Sequence, residues 1–202
     1  EEITANVKAI GRAGAGTNNV PVDYCSEQGV VVFNAPGANA NAVKELIMAG
    51  LLLGSRGIVS GIAYVDGLAS MDDADAMNKL LEKEKKNFKG SEIQGKTLGV
   101  IGLGAIGSQV ANMALMMGMQ VVGYDPAISI DAAWRLSSDV KKMDSLEAIW
   151  AKSDFITLHL PVLDVTRNLI NAKSLKSVKK GCKLLNFARS EIVDGDAVID
   201  AL

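Results

Sequence analysis

From Thr97 to Tyr124 the chain runs 28 residues without a charged side chain, and no other stretch constrains its fold as much. A single apolar helix of that length would cross a bilayer. Gly99, Gly102, Gly104, Gly107, Gly118 and Gly123, with Ser108, Gln109, Asn112 and Gln120, instead divide the stretch into shorter elements. The pattern predicts a strand at Leu98–Ile101, a glycine turn, a helix over Ala105–Met117 closed by Gly118, and a second strand at Gln120–Tyr124. A membrane span is not expected.

The same alternation continues on both sides. Upstream, Val7–Ile10 and Val30–Phe33 read as strands around a helix at Val22–Gln28, with turn chemistry at Gly11–Gly16 and Asn34–Gly37. One long helix is expected from Ala40 to about Val65, carrying Gly50, Gly54, Gly57 and Gly61 on one stripe. A helix-interior glycine costs about 1 kcal/mol relative to alanine, so this stripe implies close approach of another element, in the same chain or in a second copy. A helix from Asp72 to Asn87 has alternating charge and reads as a solvent-facing arm. Downstream come a capping box at Asp144–Glu147, a strand at Asp154–Leu160, a helix from Asn171 to near Gly181, a strand at Lys183–Phe187 and a helix capped by Asp194. Strands alternating with helices imply a doubly wound, Rossmann-type α/β fold with a parallel sheet.

The 21 basic and 23 acidic residues leave a net charge of −2, with no basic stripe for a phosphate backbone, so a nucleic-acid partner is not expected. The cluster Lys83, Lys85, Lys86 and Lys89 is interrupted by Glu82 and Glu84. The two cysteines, Cys25 and Cys182, lie far apart without a leader ahead of them and suggest reduced thiols in the cytoplasm. The single histidine, His159, is the only such candidate for acid/base work near neutral pH.

Gly102-Leu103-Gly104-Ala105-Ile106-Gly107 follows a strand and opens a helix. In that context Gly102 permits the tight turn, Gly104 lets the backbone approach a pyrophosphate, and Gly107 lets helix and strand pack closely. Asp125 ends the next strand, 18 residues after Gly107, where its carboxylate can accept hydrogen bonds from ribose hydroxyls. That charge repels a 2′-phosphate and Pro126 offers no basic rescue, so NAD is expected over NADP. The strand ends at His159-Leu160-Pro161 and Asn186-Phe187-Ala188-Arg189 should border the nicotinamide. Arg189 can pair bidentately with a carboxylate, such as a 2-hydroxy or 2-oxo acid presents, whereas a surface salt bridge is its plainer role. No metal ligands are nominated.

With these residues in view, the sequence resembles the D-isomer-specific 2-hydroxyacid dehydrogenases along essentially its whole length. The markers are Gly11-Arg-Ala-Gly14, Thr17-Asn-Asn-Val20, Asn34-Ala-Pro-Gly-Ala-Asn39, Gly95-Lys-Thr-Leu-Gly-Val-Ile-Gly102, Gly123-Tyr-Asp-Pro126, Leu158-His-Leu-Pro161, Thr166-Arg-Asn-Leu-Ile170, Asn186-Phe-Ala-Arg189 and Ile192-Val-Asp194. The resemblance implies that residues 1–38 are part of a smaller flavodoxin-like substrate domain and that residues 39–202 are an NAD-binding Rossmann domain, the chain being a fragment at both ends. It implies substrate contacts from Asn39 and the Ala15 loop, and cofactor contacts from Ala105, Ile106, Asp125, Leu160, Pro161, Phe187 and Ala188. Arg189 matches the catalytic arginine, contacting both substrate and cofactor. The family's paired glutamate and histidine are expected beyond Leu202, and His159 matches a different position. Ser190-Glu191 replaces the usual glycine pair.

The implied reaction is hydride transfer from C2 of a D-2-hydroxy acid, here 3-phospho-D-glycerate, to nicotinamide C4, with this fragment nearly inactive by itself. Two alternatives stand beside it. One is a relative acting on glyoxylate, hydroxypyruvate or D-lactate, and the other is a non-catalytic NAD sensor or corepressor. A homodimer through the cofactor domain is expected.

Overall fold

The computed structural model describes residues 6–202; the first five, assigned above to the substrate domain, lie outside the described residues. The uncharged stretch folds as strand β3 (Thr97–Ile101), a helix (Ala105–Met116) and strand β4 (Gln120–Tyr124). With β5 (Lys141–Lys142), β6 (Phe155–Leu158) and β7 (Lys183–Asn186) these strands form a sheet of order β5-β4-β3-β6-β7, parallel at every pairing. Two further strands, β1 (Ala9–Arg12) and β2 (Val31–Asn34), make a separate parallel pair around helix α1 (Val22–Glu27).

The five-stranded sheet is apolar on both faces because its strands alternate between two cores. Leu98, Val100, Val121, Phe155 and Leu185 face one, shared with Ile47 and Leu51 of α2 (Ala40–Ser55) and Val110 and Ala114 of α5 (Ala105–Met116). Ile101, Val122, Ile156 and Leu158 face the other, shared with Ile149 and Trp150 and with Ile170 and Ile192. Burying each such side chain is worth about 1.5–3 kcal/mol, which fixes the register of the strands.

The long helix expected over Ala40–Val65 is two: α2 stops at Ser55, and α3 (Ile58–Asp66) starts after a 66° bend. Arg56 is extended, and the returning chain docks at the break. Gly57 N–H donates to the Phe88 carbonyl at 3.0 Å, and Ser91 N–H to that of Ser55 at 2.9 Å. A Cβ on Gly57 would lie 2.7 Å from the Phe88 backbone, so this glycine is required for docking rather than for a helix surface. Gly50 packs against Leu185 and Phe187, and Gly61 against the Phe88 ring, so both serve contacts within the chain. The charged arm is α4 (Ala74–Glu84) followed by a 3₁₀ turn over Lys85–Phe88, and it buries no residue. No single helix among the described residues is long and apolar enough to cross a membrane; α2 and α3 qualify only as a bent pair.

Other boundaries also moved, β1 running over Ala9–Arg12 rather than ending at Ile10. The cap at 144–147 falls on Ser145, whose hydroxyl accepts from Ala148 N–H, so α7 spans Leu146–Lys152; between β4 and β5 the sequence pattern had missed α6 (Ile130–Arg135), capped by Ser129. The helix opened by Asn171 closes a capping box with Ser174 but lasts only over α8 (Ala172–Leu175), after which Ser177 and Val178 donate three residues back and tighten the chain into turns. Asp154 stays out of β6, its carboxylate instead accepting from Thr97 N–H at 2.8 Å and from Lys179 at 3.1 Å. Asp194 caps α9 (Gly195–Ala201) as expected. Cys25 is buried, Cys182 half-buried, and both are free thiols. Burial, with Asp154 nearby, pushes the Cys182 thiol up to about 11.

Candidate active-site cleft

Because the sheet is parallel, the carboxyl ends of β3, β4, β6 and β7 open on one edge, where α/β proteins place ligands. Strand β3 runs into Gly102, whose φ of +87° is left-handed and whose Cβ would stand 2.5 Å from the His159 carbonyl. A Cβ on Gly107 would come within 1.9 Å of the Gly102 carbonyl, so the first turn of α5 lies directly on the strand end. Gly104, by contrast, has nothing within 4 Å of its Cβ position. The turn is therefore closed beneath and open above, at the N-terminus of a helix with 12 residues and with no side-chain cap. Unpaired N–H groups facing an open cradle suit a diphosphate. Asp125, at the end of β4, accepts from Leu103 N–H at 2.8 Å and from Ala127 N–H at 2.9 Å, which holds the carboxylate beside the turn. A carboxylate has about four lone-pair sites, so capacity remains for ribose hydroxyls.

A cleft of about 860 Å³ lies between this edge and the β1–β2 unit. Ala15, Asn39, Ile106, Leu160, Pro161, Phe187, Ala188 and Arg189 all line it, from both sides. On the β1–β2 side the Ala15 loop is held by Asn34, whose amide donates to the Ala15 carbonyl at 2.9 Å, and by Ala35 N–H, which donates to Gly14 at 3.0 Å. Asn39 heads α2 without a cap hydrogen bond. On the sheet side the turn after β7 is braced by Asn186, which accepts from Ala188 N–H at 3.1 Å and donates to the Arg189 carbonyl at 2.8 Å. Arg189 donates to the Ala188 carbonyl at 2.8 Å, and its Nη2 stands 3.0 Å from the Cβ position of Gly16. One guanidinium thus spans the cleft from the sheet to the opposite loop. Gly102, Gly104, Ala105, Gly107 and Asp125 are not among the residues that line this cleft, although a Cβ on Gly37 would lie 3.2 Å from the Ala105 Cβ.

His159 lines the cleft with its Nε2 3.1 Å from the Thr157 hydroxyl. Burial pushes its pKa down to about 4, so the imidazole is neutral near pH 7 and poorly matched to proton transfer there. Arg12, Arg167 and Glu191 also line the cleft. The sequence alone assigns them no site role. Arg12 and Arg167 stood only as members of the motifs around them, and Glu191 only as a departure from a glycine. Among the described residues, no group of three or more His, Cys, Asp or Glu is placed to hold a metal ion. A second concavity, about 570 Å³, lies between α3 and α4 and is lined largely by Ile58, Ile62, Val65, Leu81 and Phe88.

The sequence model described as "D-isomer specific 2-hydroxyacid dehydrogenase, NAD binding domain" matches residues 62–202. The chain belongs to this family. It accordingly carries the family's NAD-binding domain, with the glycine turn and Asp125 of the geometry above inside the matched region. D-3-phosphoglycerate dehydrogenase of Methanocaldococcus jannaschii is 39% identical over 201 residues, covering 100% of this chain and 36% of that protein. Hydroxypyruvate reductase of Thermotoga maritima is 38% identical over 200 residues, covering 98% of this chain and 59% of that protein. Among solved structures, D-lactate dehydrogenase from Aquifex aeolicus, complexed with NAD and lactic acid, matches with a TM-score of 0.75 and 29% identity over 96% of this chain and 54% of that one. The holo form of Rhodotorula graminis D-mandelate dehydrogenase matches with a TM-score of 0.78 and 29% identity over 99% of this chain and 56% of that one. The chain thus spans about a third of the first phosphoglycerate dehydrogenase relative and just over half of the solved structures.

Proposed function

We propose that the chain is part of an NAD-dependent dehydrogenase that oxidises 3-phospho-D-glycerate to 3-phosphohydroxypyruvate, the entry to serine synthesis. The placement of Arg189 carries this reading: a permanently charged fork stands in a cleft between the strand ends at Leu160–Pro161 and Phe187–Ala188 and the Ala15 loop, where it suits a bidentate pair with a carboxylate. The 39% identity to a phosphoglycerate dehydrogenase over the whole chain supports the phosphorylated substrate. The similar identity to a hydroxypyruvate reductase favours an unphosphorylated 2-oxo acid as the second reading.

In this reading residues 1–38 belong to a substrate domain and residues 39–202 to the cofactor domain, with the hinge near Asn39. Gly102, Gly104, Gly107, Ala105 and Ile106 hold the pyrophosphate, and Asp125 holds the ribose hydroxyls and disfavours a 2′-phosphate. Leu160, Pro161, Phe187 and Ala188 wall the nicotinamide side and exclude water, while Asn39 and the Ala15 loop contact the substrate. Bound NAD supplies the hydride acceptor. Arg189 fixes the carboxylate and draws electron density from the C2 oxygen, favouring the carbonyl form of the product. Neutral His159 is unsuited to moving the hydroxyl proton. Acid/base catalysis is typically worth about 10² to 10⁴ in rate, so the 202-residue chain alone is nearly inactive. The exposed apolar residues of α3, Ile58, Val59, Ile62 and Val65, seat a second copy and make a homodimer through the cofactor domain.

The test is binding of oxamate, a 2-oxo acid mimic, to the NADH-loaded chain by fluorescence. Arg189→Lys, which removes the bidentate fork, is expected to weaken oxamate about 10- to 100-fold while leaving NADH bound. Unchanged oxamate affinity in this variant, or turnover of 3-phosphoglycerate by the 202-residue chain at an ordinary enzymatic rate, would count against the proposal.

A further inference from the structure

Glu191 sits in a 3₁₀ turn, Ser190–Ile192, whose surroundings are anchored. Ile192 beside it is fully buried in the second core, Val193 pairs with Ile170, and Asn168 N–H donates to the Glu191 carbonyl at 3.0 Å. With its neighbours anchored, the Glu191 side chain is left on the cleft wall, where Arg12, Arg167 and Arg189 supply the cationic groups. The wall therefore carries three guanidiniums against one carboxylate.

We propose that Glu191 is a specificity-determining residue, which lowers the preference of this cleft for substrates bearing a second anion. The proposal rests on the reading that the cleft takes a 2-hydroxy acid with its carboxylate on Arg189. A monocarboxylate meets the Glu191 charge once. A phosphorylated acid brings a further charge of about −1.5 to −2, which the same carboxylate repels. Glu191 stays ionised near neutral pH, since its own backbone N–H and the Ser190 hydroxyl at 3.0 Å hydrogen-bond to it, with Arg167 and Arg189 adding attraction. The cleft thus discriminates in favour of phosphate less steeply than three unopposed guanidiniums.

For charges about 6–8 Å apart in a water-like medium, removing this repulsion is worth about three- to tenfold in affinity for the additional anion. The experiment measures dissociation constants of oxamate and 3-phosphoglycerate on the NADH-loaded 202-residue chain, for the parent, Glu191→Gln and Glu191→Gly. The expected result is a gain for 3-phosphoglycerate relative to oxamate of that size at low salt in both variants. In 0.5 M salt, where the screening length is about 4 Å, the gain should fall below twofold. An equal change for both ligands, or no change in either variant, overturns the role of Glu191 and leaves the substrate cleft standing. Failure of the parent to bind either anion overturns both.

Discussion

The contact between Gly107 and the Gly102 carbonyl gives the most direct test of how the cofactor turn is built. In Gly107→Ala the new Cβ would lie 1.9 Å from that oxygen, about 1.1 Å short of the closest approach real Cβ atoms make. The obstacle is backbone on a left-handed residue, itself packed on the His159 carbonyl, so no side-chain rotation relieves it. Overpacking of this kind typically costs about 1–3 kcal/mol, and the helix-propensity gain of alanine returns about 1 kcal/mol, for a net loss of roughly 0–2 kcal/mol. The larger consequence is positional. A shift of about 1 Å at the start of α5 misaligns the N–H groups toward the phosphates, which is expected to weaken NADH about 10- to 100-fold. Gly104→Ala is the control. Its Cβ meets nothing in the chain and its φ of −68° suits any residue, so stability should change by less than about 1 kcal/mol. The added methyl group nevertheless stands in the open cradle, and NADH affinity should still fall. Urea denaturation with NADH fluorescence titration separates the two effects. The reasoning is wrong if Gly107→Ala leaves stability and affinity unchanged, or if Gly104→Ala binds NADH as well as the parent.

Three further outcomes follow from the site and its surroundings. Asp125→Ser should remove the charge that disfavours a 2′-phosphate and lower the NADH over NADPH preference about tenfold or more, read by parallel fluorescence titrations; a parent with equal affinity for both would sink the assignment. His159 is held near pKa 4 in the fold against 6.5 in the unfolded chain, so the unfolded state binds more protons between those values and stability falls as pH drops from about 6.5 to 4. At about 1.4 kcal/mol per pH unit the loss is bounded near 3 kcal/mol, and His159→Gln should flatten that part of the pH profile in urea melts. Ile62→Glu in the α3 patch should shift sedimentation from dimer to monomer; a parent that is monomeric at tens of micromolar contradicts the proposed interface.

The glycine turn with its flanking strands and helix was legible in the sequence, whereas α6 and β5 were not. Glycine spacing between two apolar runs and an acid at the next strand end are local signals, and local backbone geometry is what they encode. The strand at Gln120–Tyr124, the start of α5 at Ala105 and the cap at Asp194 accordingly came out as expected. What the sequence left open depended on segments that meet only after folding. The apolar run through Ala40–Val65 is a good helix by pattern, and it breaks at Gly57 because Phe88, some thirty residues on, lays its backbone against that glycine. Glu191 and Arg167 carry no signal of a site by themselves. They reach the cleft because the bridge from Ile170 to Val193 brings two loops side by side along the wall that Arg189 also lines. Hydrogen-bonding pattern and hydrophobic period act over a few residues and are written in the chain, whereas the charge of a cleft is a sum over distant loops and exists only once the core has fixed them.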